Sequence, residues 1–362
     1  MTMAQSLTVL QPITPHRFAG AEKQVGLFSH ALIKRGHHPT IIMPARVPLF
    51  EQFLQKRNVP FELLNIGGKL NLLAQGRIEK LACTVAADII QTHLSSASQW
   101  GLRAARHLGI PSIGHVHGMN SARWYRDADI ILAGTQGIAD YLIADGAPES
   151  KVRIIYYAID REEFEVLRPV AEVRAELGLA LGQPTIGMAA SLVARKGHRH
   201  LLDAIALLRP KLPDLVALIV GQGPLLATLQ AQAERLGISR NVCFLGWVPS
   251  ALDVMQAMDL LILPSTRIEG FGVCLVEAAY LGKPGVASDL PGIREAVLDG
   301  ETGLMASVGD PPRLAEAIGT LLTNRNLYET FARQGKERTE RLFTVERMAE
   351  ELEGLYVEVL GR

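Results

Sequence analysis

Residues 259–289 read DLLILPSTRIEGFGVCLVEAAYLGKPGVASD. The aliphatic run at the start is too short for a helix and is stopped by Pro264, so it predicts a buried strand; PGVASD predicts a second. Between them, the apolar run predicts a helix beginning near Phe271–Gly272. A strand, a helix and a strand in that order predict a parallel pair joined by a right-handed crossover. Two carboxylates interrupt the pattern. Glu269 stands in the loop after the first strand, and Glu277 falls about one and a half turns into the helix, among Val276, Ala278 and Ala279. A carboxylate in apolar surroundings is costly unless something pairs with it.

The same alternation fills the chain on either side. SLTVLQP, HPTIIMP, DIIQTH, PSIGHVHG, DIILAGT and VRIIYYAID predict one set of buried parallel strands. PTIGMAAS, LVALIVGQG, NVCFLGW, DLLILPS, PGVASD and TGLMAS predict a second. Amphipathic segments separate them, such as AEKQVGLFSHALIKRG with Val25, Phe28, Leu32 and Ile33 on one face, and RKGHRHLLDAIALLRPKL, which stops near Pro210. Two successive sets imply an α/β protein of two Rossmann-like domains, residues 1–163 and 164–344, with parallel sheets facing an interdomain cleft. The seam is expected in the charged stretch 160–179. The amphipathic terminal helix, 345–362, is free to pack back on the first domain.

Composition supports a globular protein with ample core: 362 residues, 48% apolar and 20% charged. Formal charge is zero overall, but residues 1–160 hold 16 Lys/Arg against 11 Asp/Glu and the remainder 21 against 26, giving +5 and −5. So small an excess is an ordinary solvated face as readily as an anion-binding one. Cys83, Cys243 and Cys274 are scattered without a CxxC, fitting buried thiols in a reducing compartment rather than a disulfide or zinc framework. No basic leader, apolar signal or bilayer-spanning stretch is visible, so a cytoplasmic protein is expected.

In open parallel sheets, ligands sit beyond the carboxyl ends of the strands. After the first strand, Phe18-Ala19-Gly20-Ala21-Glu22 offers a loop where Gly20 lets backbone N–H groups approach an anion, although a plain tight turn explains the glycine as well. In GHVHG, His115 and His117 share one side of a strand. His117, nearer the carboxyl end, could donate to a sugar hydroxyl or phosphate, or be a hydrogen-bonded structural histidine. No HExxH or ordered His/Cys set accompanies them, so a metal is not expected. Asp127-Ala128-Asp129 precedes a strand and reads as a loop and strand start. Gly221-Gln222-Gly223-Pro224 lacks the third glycine of GxGxxG and reads as a tight strand-to-helix turn, poor evidence for NAD. Lys196, just beyond a strand and next to Arg195, can offer a point charge to a diphosphate. Glu269 can accept from hydroxyls, N–H groups at the helix start can receive oxygens, and Glu277 can hold a vicinal diol such as a ribose. A nucleotide-sugar supplies all of these groups at once.

The segment PSTRIEGFGVCLVEAAYLGKPGVASDLPGIREAVLDGETGL resembles the signature of the retaining glycosyltransferases of family 4, the group 1 glycosyl transferases with a GT-B fold. The two glutamates eight residues apart, GFG between them, GKP and DGETGL all match. FAGAE, HVHG, ASLVARKG, GQGP and FLGWV follow in family order over nearly the whole chain. The resemblance implies transfer of a sugar, with retention, from a UDP- or GDP-sugar to an acceptor hydroxyl on a glycan or glycolipid, without metal or other cofactor. It implies that Gly20 approaches the donor phosphates, that His117 contacts the sugar, and that Lys196 neutralises the diphosphate. Gly221 would line the site. Glu269 and the amides of Gly270, Phe271, Gly272 and Val273 would hold the sugar, Glu277 the ribose, and Val248, beside Trp247, would lie near the base. His117, Glu269 and Lys196 are thus the candidate catalytic residues. Ser191 stands where the family pattern has an arginine, removing one expected cation, with Arg195 or Arg17 available to compensate. No nucleic-acid partner is expected. The apolar-basic stretch LQKRNVPFELLNIGGKLNLLAQGRIEK suits an anionic glycolipid and peripheral contact with the inner face of a membrane. A sugar-nucleotide epimerase of the same architecture and a non-catalytic nucleotide-sugar-binding subunit remain the alternatives.

Overall fold

The computed structural model describes residues 6–267 and 269–361. The chain divides into two compact units, one reaching Ala158 and including the segment from Thr344 onward, the other Ile159–Phe343.

In the first unit, seven parallel strands are β1 (Thr8–Pro12), β2 (His38–Met43), β3 (Phe61–Leu63), β4 (Ile89–His93), β5 (Ser112–Val116), β6 (Ile130–Ala133) and β7 (Val152–Ile154). Their spatial order is β3-β2-β1-β4-β5-β6-β7. The strand absent from the sequence expectation is β3, a three-residue edge element with a half-exposed to exposed pattern and therefore no apolar run to reveal it. Helices cover both faces. The helix Gly20–Lys34 buries Val25, Leu27, Phe28 and Leu32 completely, each contributing roughly 1.5–3 kcal/mol of apolar burial. Its Gln24 side chain clasps the backbone of Ala158 through Nε2–H to O (2.8 Å) and N–H to Oε1 (3.0 Å).

The terminal helix, Val345–Val359, starts at Thr344, whose side chain accepts from the Arg347 N–H. It joins the first unit by burying Met348, Leu352 and Tyr356. The Tyr356 hydroxyl donates to Gln91 Oε1, and Glu353 binds Arg35 and His37. At the amino edge of this sheet Asp129 accepts from the Ser112 N–H and hydroxyl, both at 2.8 Å, and Asp127 pairs with Arg106. The Asp-Ala-Asp triplet is thus a loop and strand start.

In the second unit, six parallel strands are β8 (Thr185–Ala189), β9 (Val216–Val220), β10 (Val242–Gly246), β11 (Leu260–Leu263), β12 (Gly285–Ser288) and β13 (Gly303–Ala306), ordered β10-β9-β8-β11-β12-β13. Both sheets are doubly wound. Strand order reverses between β1 and β4 in one and between β8 and β11 in the other, so the loops leaving those pairs diverge to opposite faces and open a crevice.

Candidate active site

At the second unit's reversal point, the loops after β8 and β11 are tied together backbone to backbone. Gly197 has φ +76°, and a Cβ there would lie 1.7 Å from the Pro264 carbonyl oxygen, so only glycine permits the approach. Nearby, the Thr266 N–H donates to Arg195 O at 2.8 Å. This brings three side chains to one oxygen. Glu269 Oε1 lies 2.7 Å from Lys196 Nζ, 3.2 Å from an Arg195 guanidinium nitrogen and 2.7 Å from the Ser265 hydroxyl. Glu269 is only 5% exposed. The buried carboxylate is therefore paired twice and hydrogen-bonded once, which is what its burial requires. It also holds two cations side by side that would otherwise repel.

The following helix runs Val273–Tyr280, from an N-cap at Gly272 with φ +82° and no side-chain cap. A helix start without a side-chain cap can satisfy its leading N–H groups with oxygens of a ligand. Phe271 is buried and meets Phe343 edge-on at 5.2 Å, so its side chain anchors the loop. Glu277 is half-buried, four residues into the helix, beside the buried Val276 and Ala278.

Ser191 lies two residues past the end of β8 and is half-buried. The Gly221 N–H already donates to Gly246 O at 2.7 Å; Gly221 shapes the crevice wall and has no donor to spare. Beyond β10, Trp247 is 55% exposed and Val248 half-buried. Lys196, Glu269, Ser191, Gly221, Gly270–Val273, Glu277 and Val248 thus all belong to loops and a helix start at one edge of one sheet.

Gly20 and His117 belong to the first unit. Gly20 opens its helix, exposed, with nothing within 4 Å of where a Cβ would point. That helix end already carries a carboxylate: Glu22 Oε2 accepts from the Ala19 N–H at 3.0 Å, and burial pushes Glu22 above the usual carboxylate range. Arg17 and His16 act on Glu22 to oppose that rise.

His117 lies just past β5. Its Nε2 is 2.9 Å from His93 Nδ1 and its Nδ1 3.0 Å from the Tyr157 hydroxyl. Its ring stacks on Tyr157. Both ring nitrogens are engaged within the unit, so a ring hydrogen bond to a ligand needs one of them to leave its present partner. His115 is His93's register partner in the sheet and points to the same face. Burial pushes all three imidazoles down, His117 to about 3, so they are neutral.

Two family models match. The model for glycosyl transferases group 1 covers residues 170–338 and that for glycosyltransferase family 4 covers 18–163. The chain belongs to the family 4, group 1 glycosyltransferases. It is 27% identical over 308 residues to a Bacillus subtilis protein named putative glycosyltransferase EpsD, covering 79% of this chain and 80% of that one. To the GDP-mannose-dependent alpha-(1-6)-phosphatidylinositol monomannoside mannosyltransferase of Mycolicibacterium smegmatis it is 26% identical, covering 90% and 83%. The crystal structure of Anabaena HepE in complex with UDP-glucose has the same fold, with a TM-score of 0.86 at 24% identity over 98% of this chain and 99% of that one. The protein is a glycosyltransferase of GT-B fold.

Three residues of this glycosyltransferase's two clusters, Ser265, Tyr157 and His93, received no role from sequence alone. Ser265 and Tyr157 carry no pattern that marks them. Arg195 was visible as a spare cation, and the structure places it on Glu269. His93 ends the strand segment DIIQTH, and an imidazole at the carboxyl end of a buried strand was the signal available.

Proposed function

We propose that this glycosyltransferase moves a sugar, with retention, from a UDP- or GDP-sugar bound on the second unit to an acceptor hydroxyl presented to the first. One arrangement supports it: Lys196 and Arg195 fixed by Glu269 beside a helix start without a side-chain cap, at the carboxyl edge where the sheet's strand order reverses. The diphosphate draws on the two cations, Glu269 and the Gly270–Val273 backbone hold sugar hydroxyls, Glu277 the ribose, and Trp247 with Val248 the base. Arg195 replaces the cation that Ser191 lacks. The family resemblance gives Gly20 a role toward the donor phosphates and His117 a role toward the transferred sugar. Cations and helix dipole stabilise the leaving diphosphate, so no metal is needed.

The departing phosphate oxygen accepts the acceptor's proton on the face of attack, and the chain positions the reactants without forming a covalent intermediate. Both bases stay in view because one relative is named for GDP-mannose and one structural neighbour holds UDP-glucose. The acceptor is a glycan or glycolipid of the cell envelope, lipopolysaccharide or exopolysaccharide. No helix among the described residues is long and apolar enough to cross a membrane. Leu70, Leu72 and Leu73, at 93, 79 and 66% exposed and next to Lys69, favour peripheral contact with an anionic cytoplasmic leaflet. The test is turnover of UDP- and GDP-sugars with candidate acceptors in EDTA, followed by NMR of the product's anomeric centre. Retained configuration at an undiminished rate is expected; inversion, or full dependence on added metal, contradicts it.

A further inference from the structure

The first unit holds a cluster of three histidines, of which the proposed transfer reaction uses only His117. His93 closes β4, His115 is its register partner on β5, and His117 follows two residues later, so neighbouring strands deliver three imidazoles to one face. The nitrogens able to ligate all lie within 4.8 Å of one another. His93 and His115 are fully buried, and His93 Nε2 and both nitrogens of His115 have no hydrogen-bond partner among the described residues. Buried polar atoms left unpaired are rare and costly. His117 has what a metal-binding imidazole ordinarily has, a second nitrogen fixed by an outer partner, here the Tyr157 hydroxyl at 3.0 Å.

We propose that His93, His115 and His117 form a binding site for a borderline divalent transition ion of the zinc class, and that the ion inhibits transfer. Three neutral imidazoles and one open position suit such an ion, whereas magnesium and calcium prefer oxygen ligands. Tetrahedral bonds of about 2.0–2.1 Å set ligand nitrogens at roughly 3.3 Å, so small ring rotations close the present set. Binding takes one nitrogen from the His93–His117 hydrogen bond and leaves His117 clamped between the ion and Tyr157. Binding stands on the cluster alone; inhibition rests additionally on the role given to His117 in transfer, so the two are read separately.

The full chain, stripped with EDTA and dialysed, is titrated with Co²⁺ and with Zn²⁺. Intense visible bands of a tetrahedral cobalt site and one zinc per chain by equilibrium dialysis are expected. His115→Asn and His93→Gln, each checked by circular dichroism, should weaken zinc binding by at least about 100-fold, beyond what outer-partner changes cost. The exposed His107→Asn should leave it unchanged. Weak octahedral cobalt bands, no bound zinc, or binding indifferent to His93 and His115 would overturn the site. The wild-type spectrum decides this even if a variant fails to fold. Zinc bound at the cluster with undiminished turnover would overturn inhibition while leaving the site and the transfer reaction standing.

Discussion

The two sheets share a winding rule yet treat polar groups at their carboxyl edges in opposite ways. At the second unit's edge, Glu269, Lys196, Arg195 and Ser265 form a charged set in which the buried carboxylate oxygen carries three partners. At the first unit's edge, two fully buried imidazoles and one half-buried imidazole are neutral, and several of their nitrogens have no partner among the described residues. The difference concerns what each edge is prepared to meet. Fixed cations beside a helix start lower the cost of binding a multiply charged anion, because the charges are in place beforehand. Uncharged, dry rings suit a hydroxyl-rich or metal ligand that brings its own polarity.

The strongest way to break this comparison is to remove charge from the second edge. Lys196→Ala should reduce kcat/KM by on the order of 10²–10³, or roughly 3 kcal/mol, in steady-state assays; a loss under tenfold would mean that the charged set is structural only. Next comes the loop closure that builds the set. Gly197→Ala adds a Cβ against Pro264 O at a positive φ and should cost at least about 2 kcal/mol of stability, read as a lower denaturant midpoint. An unchanged midpoint would show that the two loops are not held as described.

A finer probe concerns which cation serves in place of the family's arginine. Arg195→Ala should lower kcat about tenfold, roughly 1.4 kcal/mol, and Ser191→Arg in that background should restore most of it. Failure of the double variant to recover would leave Arg195 as a partner of Glu269 and nothing more. The smallest effect is expected at the exposed leucines. Replacing Leu70, Leu72 and Leu73 with serine should change stability by no more than about 0.5 kcal/mol each and leave turnover of a water-soluble acceptor intact. Co-sedimentation with anionic vesicles should be lost, and persistent sedimentation would remove this segment from membrane contact.

Much of this was legible before any coordinates. Strands such as Leu260–Leu263 and Val216–Val220 are continuous aliphatic runs because both sheet faces are covered, and that pattern survives in sequence. The helix start near Gly272 was readable because the apolar run begins there. β3 escaped because its three residues, one half-buried and two exposed, carry no apolar period. The pairing of Glu269 was hidden for another reason: its partners Lys196 and Arg195 are more than seventy positions away, and only the β8–β11 adjacency brings them together. The pairing of His93 with His115 was hidden in the same way, since only the β4–β5 register brings them together. Sequence fixes which residues end strands, whereas strand order decides which ends meet.

Isothermal titration of UDP and GDP into the wild-type chain and into Lys196→Ala and Glu269→Gln tests the central claim most directly. One nucleotide should bind the wild type with one-to-one stoichiometry, and each replacement should weaken it at least tenfold. Wild-type chain that binds neither nucleotide, or variants that bind as tightly as wild type, would contradict a donor site at this edge.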